Sequence, residues 1–97
     1  MTFTLQYSPS ATAELSRLAV NHVQDGRQAA VLKALGNLQV NPKYPSLQTH
    51  IFQGSLCPHK RELYEAYAEN HRPGAYRIFF CYQPNRTIYV VDIMQHP

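Results

Sequence analysis

The chain has only two cysteines in 97 residues, Cys57 and Cys81, too few for a disulfide framework and in no zinc-ligand spacing. No apolar run approaches the length needed to cross a bilayer. The first residues, Met1-Thr2-Phe3-Thr4-Leu5, lack the basic region and apolar stretch of a secretory signal. These absences lead us to expect a cytoplasmic protein without membrane association, in which Cys81, set in an apolar stretch, is a buried free thiol. A glycine-rich phosphate loop, a Ser-His-Asp order and a His-Glu-x-x-His helix are also missing. Nothing in the spacing invites a metal, and no cofactor is expected. Internal repeats and low-complexity segments are absent too.

A hydrophobic content of 44% is ordinary for a globular chain and too high for a disordered one. Residues 1–97 leave room for one domain and one modest core, with a stability on the order of 5–10 kcal/mol. Nine Lys and Arg against six Asp and Glu give a formal charge of +3, with a pI near 9.0. That excess either keeps a small protein soluble or favours a polyanionic partner.

Residues 2–7 alternate polar and apolar, so Phe3, Leu5 and Tyr7 share one face of a strand. Ser8-Pro9 starts a helix, with serine as cap and proline at the first position. Leu15, Leu18, Ala19 and His22 then recur at helical spacing, predicting a helix over 9–22. After Asp25-Gly26 a second helix runs from Arg27 to Gln39, and the short connection makes the two an antiparallel hairpin. Asn41-Pro42 stops it. Residues 41–60, rich in Pro, Asn, Ser, Gln and Gly, read as an ordered loop that carries several apolar groups. The period then becomes two. Strands are predicted over 61–70, 75–82 and 86–94, with turns at His71-Arg72-Pro73-Gly74 and Gln83-Pro84-Asn85. The expected fold is α+β, in the order β-α-α-β-β-β, a helical hairpin packed on a curved antiparallel sheet.

Alternation sorts the strand residues. Tyr76, Ile78, Phe80 and Tyr82 face the helices, as do Tyr64, Ala66 and Ala68. Arg77, Phe79 and Cys81 fall on the opposite, open face with Leu63, Glu65, Tyr67 and Glu69. Arg77 and Glu65 are then either a cross-strand ion pair or the centre of an anion site on which Tyr67 and Phe79 stack a base. Five histidines are many for this length. His22, at a helix end, is expected to satisfy a terminal carbonyl, and His71 to sit solvated in a turn. His50, His59 and His96, in the loop or past the last strand, could supply acid and base near neutrality. Cleavage of RNA through its 2′-hydroxyl needs a base, a cation for the phosphorane and an acid for the leaving group. His, Glu and Arg provide these without a metal.

Three stretches carry a resemblance to a known family: Glu62-Leu63-Tyr64-Glu65-Ala66-Tyr67, then Pro73 through Tyr82 with its aromatic-Arg-aliphatic core, then Ile93-Met94-Gln95-His96-Pro97. With Pro45-Ser46-Leu47-Gln48-Thr49-His50, they make the chain resemble the RelE-like branch of the RelE/ParE superfamily of type II toxins. The resemblance spans nearly the whole chain and implies two helices on a curved antiparallel sheet. It also implies a ribosome-dependent endonuclease acting on mRNA in the A site and neutralised by a cognate antitoxin, a heterotetramer being one assembly it allows. Arg77 falls where the family keeps a phosphate-contacting arginine, and His96 near a terminal catalytic histidine of some members. Glu65 lies on a strand that carries catalytic groups in members, and Glu65 or His50 would be the base. Lys43, Lys60, Arg61, Tyr67, Arg72 and Phe79 are the expected nucleic-acid contacts. The chain departs from the RelE pattern in having Leu63 and Glu65 where basic residues are usual, and in ending before a terminal catalytic tyrosine. A ParE-like inhibitor of DNA gyrase, or an inactive antitoxin-binding relative, is the alternative.

Overall fold

The computed structural model describes residues 2–96, so Pro97 of the terminal His96-Pro97 pair lies outside the described residues. Strand β1 (Thr4–Tyr7) leads into helix α1 (Pro9–Asn21), followed by α2 (Arg27–Val40). The sheet is completed by β2 (His50–Cys57), β3 (Arg61–Tyr67), β4 (Tyr76–Gln83) and β5 (Thr87–Gln95). The five strands lie in the order β1-β5-β4-β3-β2.

Two features of this sheet correct the expectation. The presumed loop contains a fourth C-terminal strand, β2, antiparallel to β3. Its periodicity is hidden because the register slips between Ile51 and Leu56, around Gly54 at φ 91°. A segment that bulges loses strict alternation while still pairing its backbone groups with a neighbour. The sheet is also mixed, not purely antiparallel: β1 runs parallel to β5, with Thr4 opposite Thr87 and Tyr7 opposite Val90. Strand polarity is set by which edge the chain returns to after two helices, and alternation carries no information about it.

The helix boundaries follow their local chemistry. The Ser8 hydroxyl accepts from the Ala11 backbone N–H at 3.0 Å and donates to the Val91 carbonyl at 2.5 Å. One buried side chain thus caps α1 and holds the bulge at which Val91 is inserted between the Phe79–Asp92 and Phe80–Val90 pairs. Ser8→Ala removes both bonds and is expected to cost about 1–2 kcal/mol. Thermal denaturation would read this as a fall of about 4–8 °C per kcal/mol.

The main core lies between the helices and one sheet face, where Leu18, Val31 and Leu38 meet Tyr76, Ile78, Phe80, Ile88, Val90 and Ile93. Tyr64, Ala68 and Tyr82 pack against it, as alternation predicted. Glu69 does not follow the expected face. Both Ala68 and Glu69 donate their backbone N–H to Tyr76 O, a local doubling that turns the Glu69 side chain toward the start of α2. There its carboxylate meets Arg72 at 3.1 Å and Arg27 at 4.0 Å, and accepts from the Tyr76 N–H. Arg27 also donates to the carbonyls of Pro73 and Gly74, fastening the β3–β4 turn to α2. His22 differs as well: its Nδ1 lies 2.8 Å from the Asp25 carboxylate, while the carbonyl of Leu18 is satisfied by the His22 backbone N–H.

A smaller cluster on the open face joins Leu63, Phe79, Tyr89 and Val91 to Cys57 and Cys81. The two cysteines form a disulfide, 24 residues apart in sequence, so Cys81 is not a free thiol. The expectation failed because β2 was unrecognised. Only that strand brings Cys57 back over the start of β3 to the face that alternation assigns to Cys81. No helix is long and apolar enough to cross a membrane among the described residues.

Candidate functional site

On the open face the strand registers build a rung from four elements. His50 of β2 lies opposite Glu65 of β3, Glu65 opposite Phe79 of β4, and Phe79 opposite Asp92 of β5. The next rung sets Tyr67 beside Arg77, and Arg77 beside Met94. Residues directly opposite one another in an antiparallel pair project to the same face, which is why groups far apart in sequence converge here.

Glu65 is the hub. Its Oε1 lies 2.8 Å from His50 Nε2, and its Oε2 lies 3.7 Å from Arg77 Nε. The other ring nitrogen of His50, Nδ1, is 2.7 Å from the Gln48 carbonyl, a group that only accepts. Both imidazole nitrogens therefore face oxygens. The His50 ring also stands edge-on to Tyr67 at 5.7 Å.

Arg77 is held on three sides. Its Nη1 donates to the Glu69 carbonyl at 2.8 Å, its guanidinium carbon lies 3.9 Å from the Tyr67 ring centroid, and Glu65 faces its Nε. It lies on the face away from the helices, as its place in the alternation requires. It does not stand open in a hollow, for its side chain is only 13% exposed. Stacking on Tyr67 and the reach to Glu69 O lay the guanidinium flat along the sheet. Its Nε is buried and makes no hydrogen bond among the described residues. Such a donor is costly to leave unmet, and the acceptor it faces is the Glu65 carboxylate at 3.7 Å. His50, at 44% exposed, is the member that solvent or a ligand reaches first. Beside the cluster lies a cavity of about 200 Å³ lined by Phe52, Leu63, Phe79, Val91, Asp92 and Met94.

Of the residues singled out from sequence, His50, Glu65, Tyr67, Phe79 and Arg77 are brought together. His96 donates its backbone N–H to Ala75 O at 2.8 Å, which sets it one step past the β5 end and two residues beyond Met94, the partner of Arg77. It shares the edge of the same surface. Arg72 is elsewhere, tied to Glu69 and to the Asp25 carbonyl in the turn against α2. Lys43, Lys60 and Arg61 line hollows with Tyr64 and Tyr82, whose rings belong to the helix side of the sheet. Sequence reasoning missed Phe52, which packs edge-on against Phe79 at 5.1 Å. The two-residue spacing of His50 and Phe52 was a usable signal, masked by the turn-rich composition around it.

Two helices on a five-stranded mixed sheet, with an arginine-centred polar cluster on the uncovered face, make up a fold that recurs in solved structures. Solved structures with this fold include the YoeB dimer from Staphylococcus aureus, at TM-score 0.66 and 11% identity over 98% of both chains. A chain of the E. coli DinJ–YafQ toxin–antitoxin complex matches at TM-score 0.63 and 16% identity, over 99% of this chain and 94% of that one. A YafQ mutant from E. coli gives TM-score 0.62 and 15% identity, over 97% and 93% of the two chains. No family model and no curated protein sequence matches the chain. The likeness is one of fold.

Proposed function

We propose that this chain is the toxin of a type II toxin–antitoxin system, and that it arrests translation by cutting mRNA in the ribosomal A site. The observation that carries the reading is the 2.8 Å contact between His50 and Glu65 set against the unmet Nε of Arg77. A likeness in fold to YoeB and to YafQ, the latter found in a toxin–antitoxin complex, supports the class.

In this reading the Glu65 carboxylate takes the proton of the attacking 2′-hydroxyl, and His50, whose two ring nitrogens face Glu65 Oε1 and the Gln48 carbonyl, holds that carboxylate in place. Arg77 sets its fixed guanidinium charge beside the phosphorane oxygens, where charge develops. His96, at the sheet edge, gives a proton to the leaving 5′-oxygen. Tyr67 and Phe79 offer rings beside the reacting phosphate on which a base stacks. The outer edge of β2, unpaired in the sheet order and bearing exposed Ile51 and Leu56, is the surface an antitoxin segment would cover.

A second reading rests on one feature: Arg77, almost buried and held by Glu65, Tyr67 and Glu69 O, is also a sound structural ion pair. On that reading the chain keeps the toxin fold without the chemistry. Purified protein is to be incubated with programmed ribosomes and, separately, with gyrase and relaxed plasmid. Cleavage of mRNA within codons with supercoiling intact supports the nuclease. Blocked supercoiling with intact mRNA overturns it in favour of a gyrase inhibitor, and neither effect leaves the structural role.

A further inference from the structure

A second hollow, larger than the one beside Arg77, lies at the C-terminal end of α2. It encloses about 770 Å³ between the 40–49 segment and the ends of the strands, well within the size of small-ligand sites. A shallower cavity of about 350 Å³ adjoins it through two shared walls, Tyr64 and Tyr82. We propose that this continuous groove binds single-stranded nucleic acid, as an anchoring site for the strand whose phosphate is cut on the other face. The proposal rests on the nuclease reading and assigns it a second contact surface.

The chemistry of the walls is that of a strand-binding groove: rings for bases and cations for phosphates. Tyr64 and Tyr82 meet edge to face at 5.0 Å, and Phe3 adds a third ring 6.3 Å from Tyr82. Tyr44 stands at the rim with nearly half its surface exposed. The Tyr64 and Tyr82 hydroxyls have no protein partner among the described residues, and burial, then the neighbouring Tyr64, raises the Tyr82 hydroxyl above its ordinary value. It therefore stays protonated and free to donate.

Charge selects the ligand's sign. Across the two cavities the ionisable lining comprises Lys43, Lys60, Arg61 and Arg86 against one carboxylate, Glu62. Arg86 lies 4.2 Å from the Phe3 ring, and Arg61 reaches the Tyr82 carbonyl, so these two are fixed as walls. Lys43 and Lys60 are exposed and make no ion pair among the described residues, which leaves them to phosphates. An acidic peptide would satisfy the charge but would leave the rings and hydroxyls unused, so nucleic acid is the better fit.

Position links the groove to the cleft. Gln48 and Thr49 form its rim, and the next residue, His50, begins β2 and contacts Glu65. A strand passing over that rim goes from the aromatic groove to the His50–Glu65 pair within one residue of protein.

The test uses a labelled single-stranded RNA oligonucleotide and fluorescence anisotropy, with native protein, the Lys43→Ala/Lys60→Ala/Tyr44→Ala variant and an Arg77→Gln variant. All three groove substitutions are at exposed positions, and thermal melts check the fold. The groove variant is expected to bind at least about ten-fold more weakly, with the salt slope reduced by about 1.4 for two lost phosphate contacts on a single strand. Arg77→Gln, which removes one proposed phosphate contact on the open face, is expected to lose less affinity than the groove variant does. If the groove variant keeps its RNA affinity, or if a polyglutamate peptide binds the groove while RNA does not, the proposal is overturned. Because the readout is binding, its failure leaves the cleavage reading standing, and an Arg77→Gln protein that still cuts RNA would fell that reading alone.

Discussion

On the proposed nuclease reading, Arg77→Ala is expected to lower the rate of RNA cleavage by about 10²–10³-fold, the usual loss when one preorganised donor to a developing oxyanion is removed. Growth arrest on expression without antitoxin is lost with it. The size of the effect follows from geometry. The guanidinium is fixed by Tyr67 at 3.9 Å and by Glu69 O at 2.8 Å, so its charge is in place before substrate arrives. Arg77→Lys keeps the charge and loses the planar stack and the fork, so it recovers little of the rate. His50 continues to partner Glu65 in both variants, and melting curves therefore distinguish a lost contact from a lost fold. A variant that cuts mRNA at the parental rate would reduce Arg77 and Glu65 to a structural pair.

Reduction of the Cys57–Cys81 bridge, or its replacement by Cys57→Ser/Cys81→Ser, is expected to cost about 3.5 kcal/mol of stability. That is the loop-closure contribution for a bridge spanning 24 residues. For a domain whose whole margin is on the order of 5–10 kcal/mol, this is a large share. Denaturant titration with and without reductant measures it directly. The bridge anchors the far end of β2, the strand that also carries His50 and Phe52. Amide exchange in β2 should accordingly quicken on reduction more than in β4 or β5. Equal stability in the two redox states would remove the bridge from any account of the fold.

Much of this molecule was legible in the sequence, for a definite reason. Helices and regular strands advertise themselves through period, and the Ser8-Pro9 start, the Asn41-Pro42 stop and the Tyr76–Tyr82 alternation each reflect chemistry within a few residues of chain. The same alternation placed Glu65, Tyr67, Arg77 and Phe79 on one face, and the structure brings those four together. His50 was singled out as a titratable group in a polar segment. Nothing local indicated that it would sit opposite Glu65.

Local chemistry thus determined which residues form helix and strand, which face of each strand is apolar, and that a lone arginine stands on the uncovered side. Tertiary structure decided the rest. It turned a proline- and glycine-bearing stretch into an edge strand, joined Cys57 to Cys81, made β1 parallel to β5 and turned Glu69 away from the open face toward α2. It also sent Lys43, Lys60 and Arg61 to a groove with Tyr64 and Tyr82. Period and composition act over one or two turns of chain. Register, bulges and the pairing of distant edges depend on backbone groups finding partners tens of residues away, and no local pattern encodes that choice.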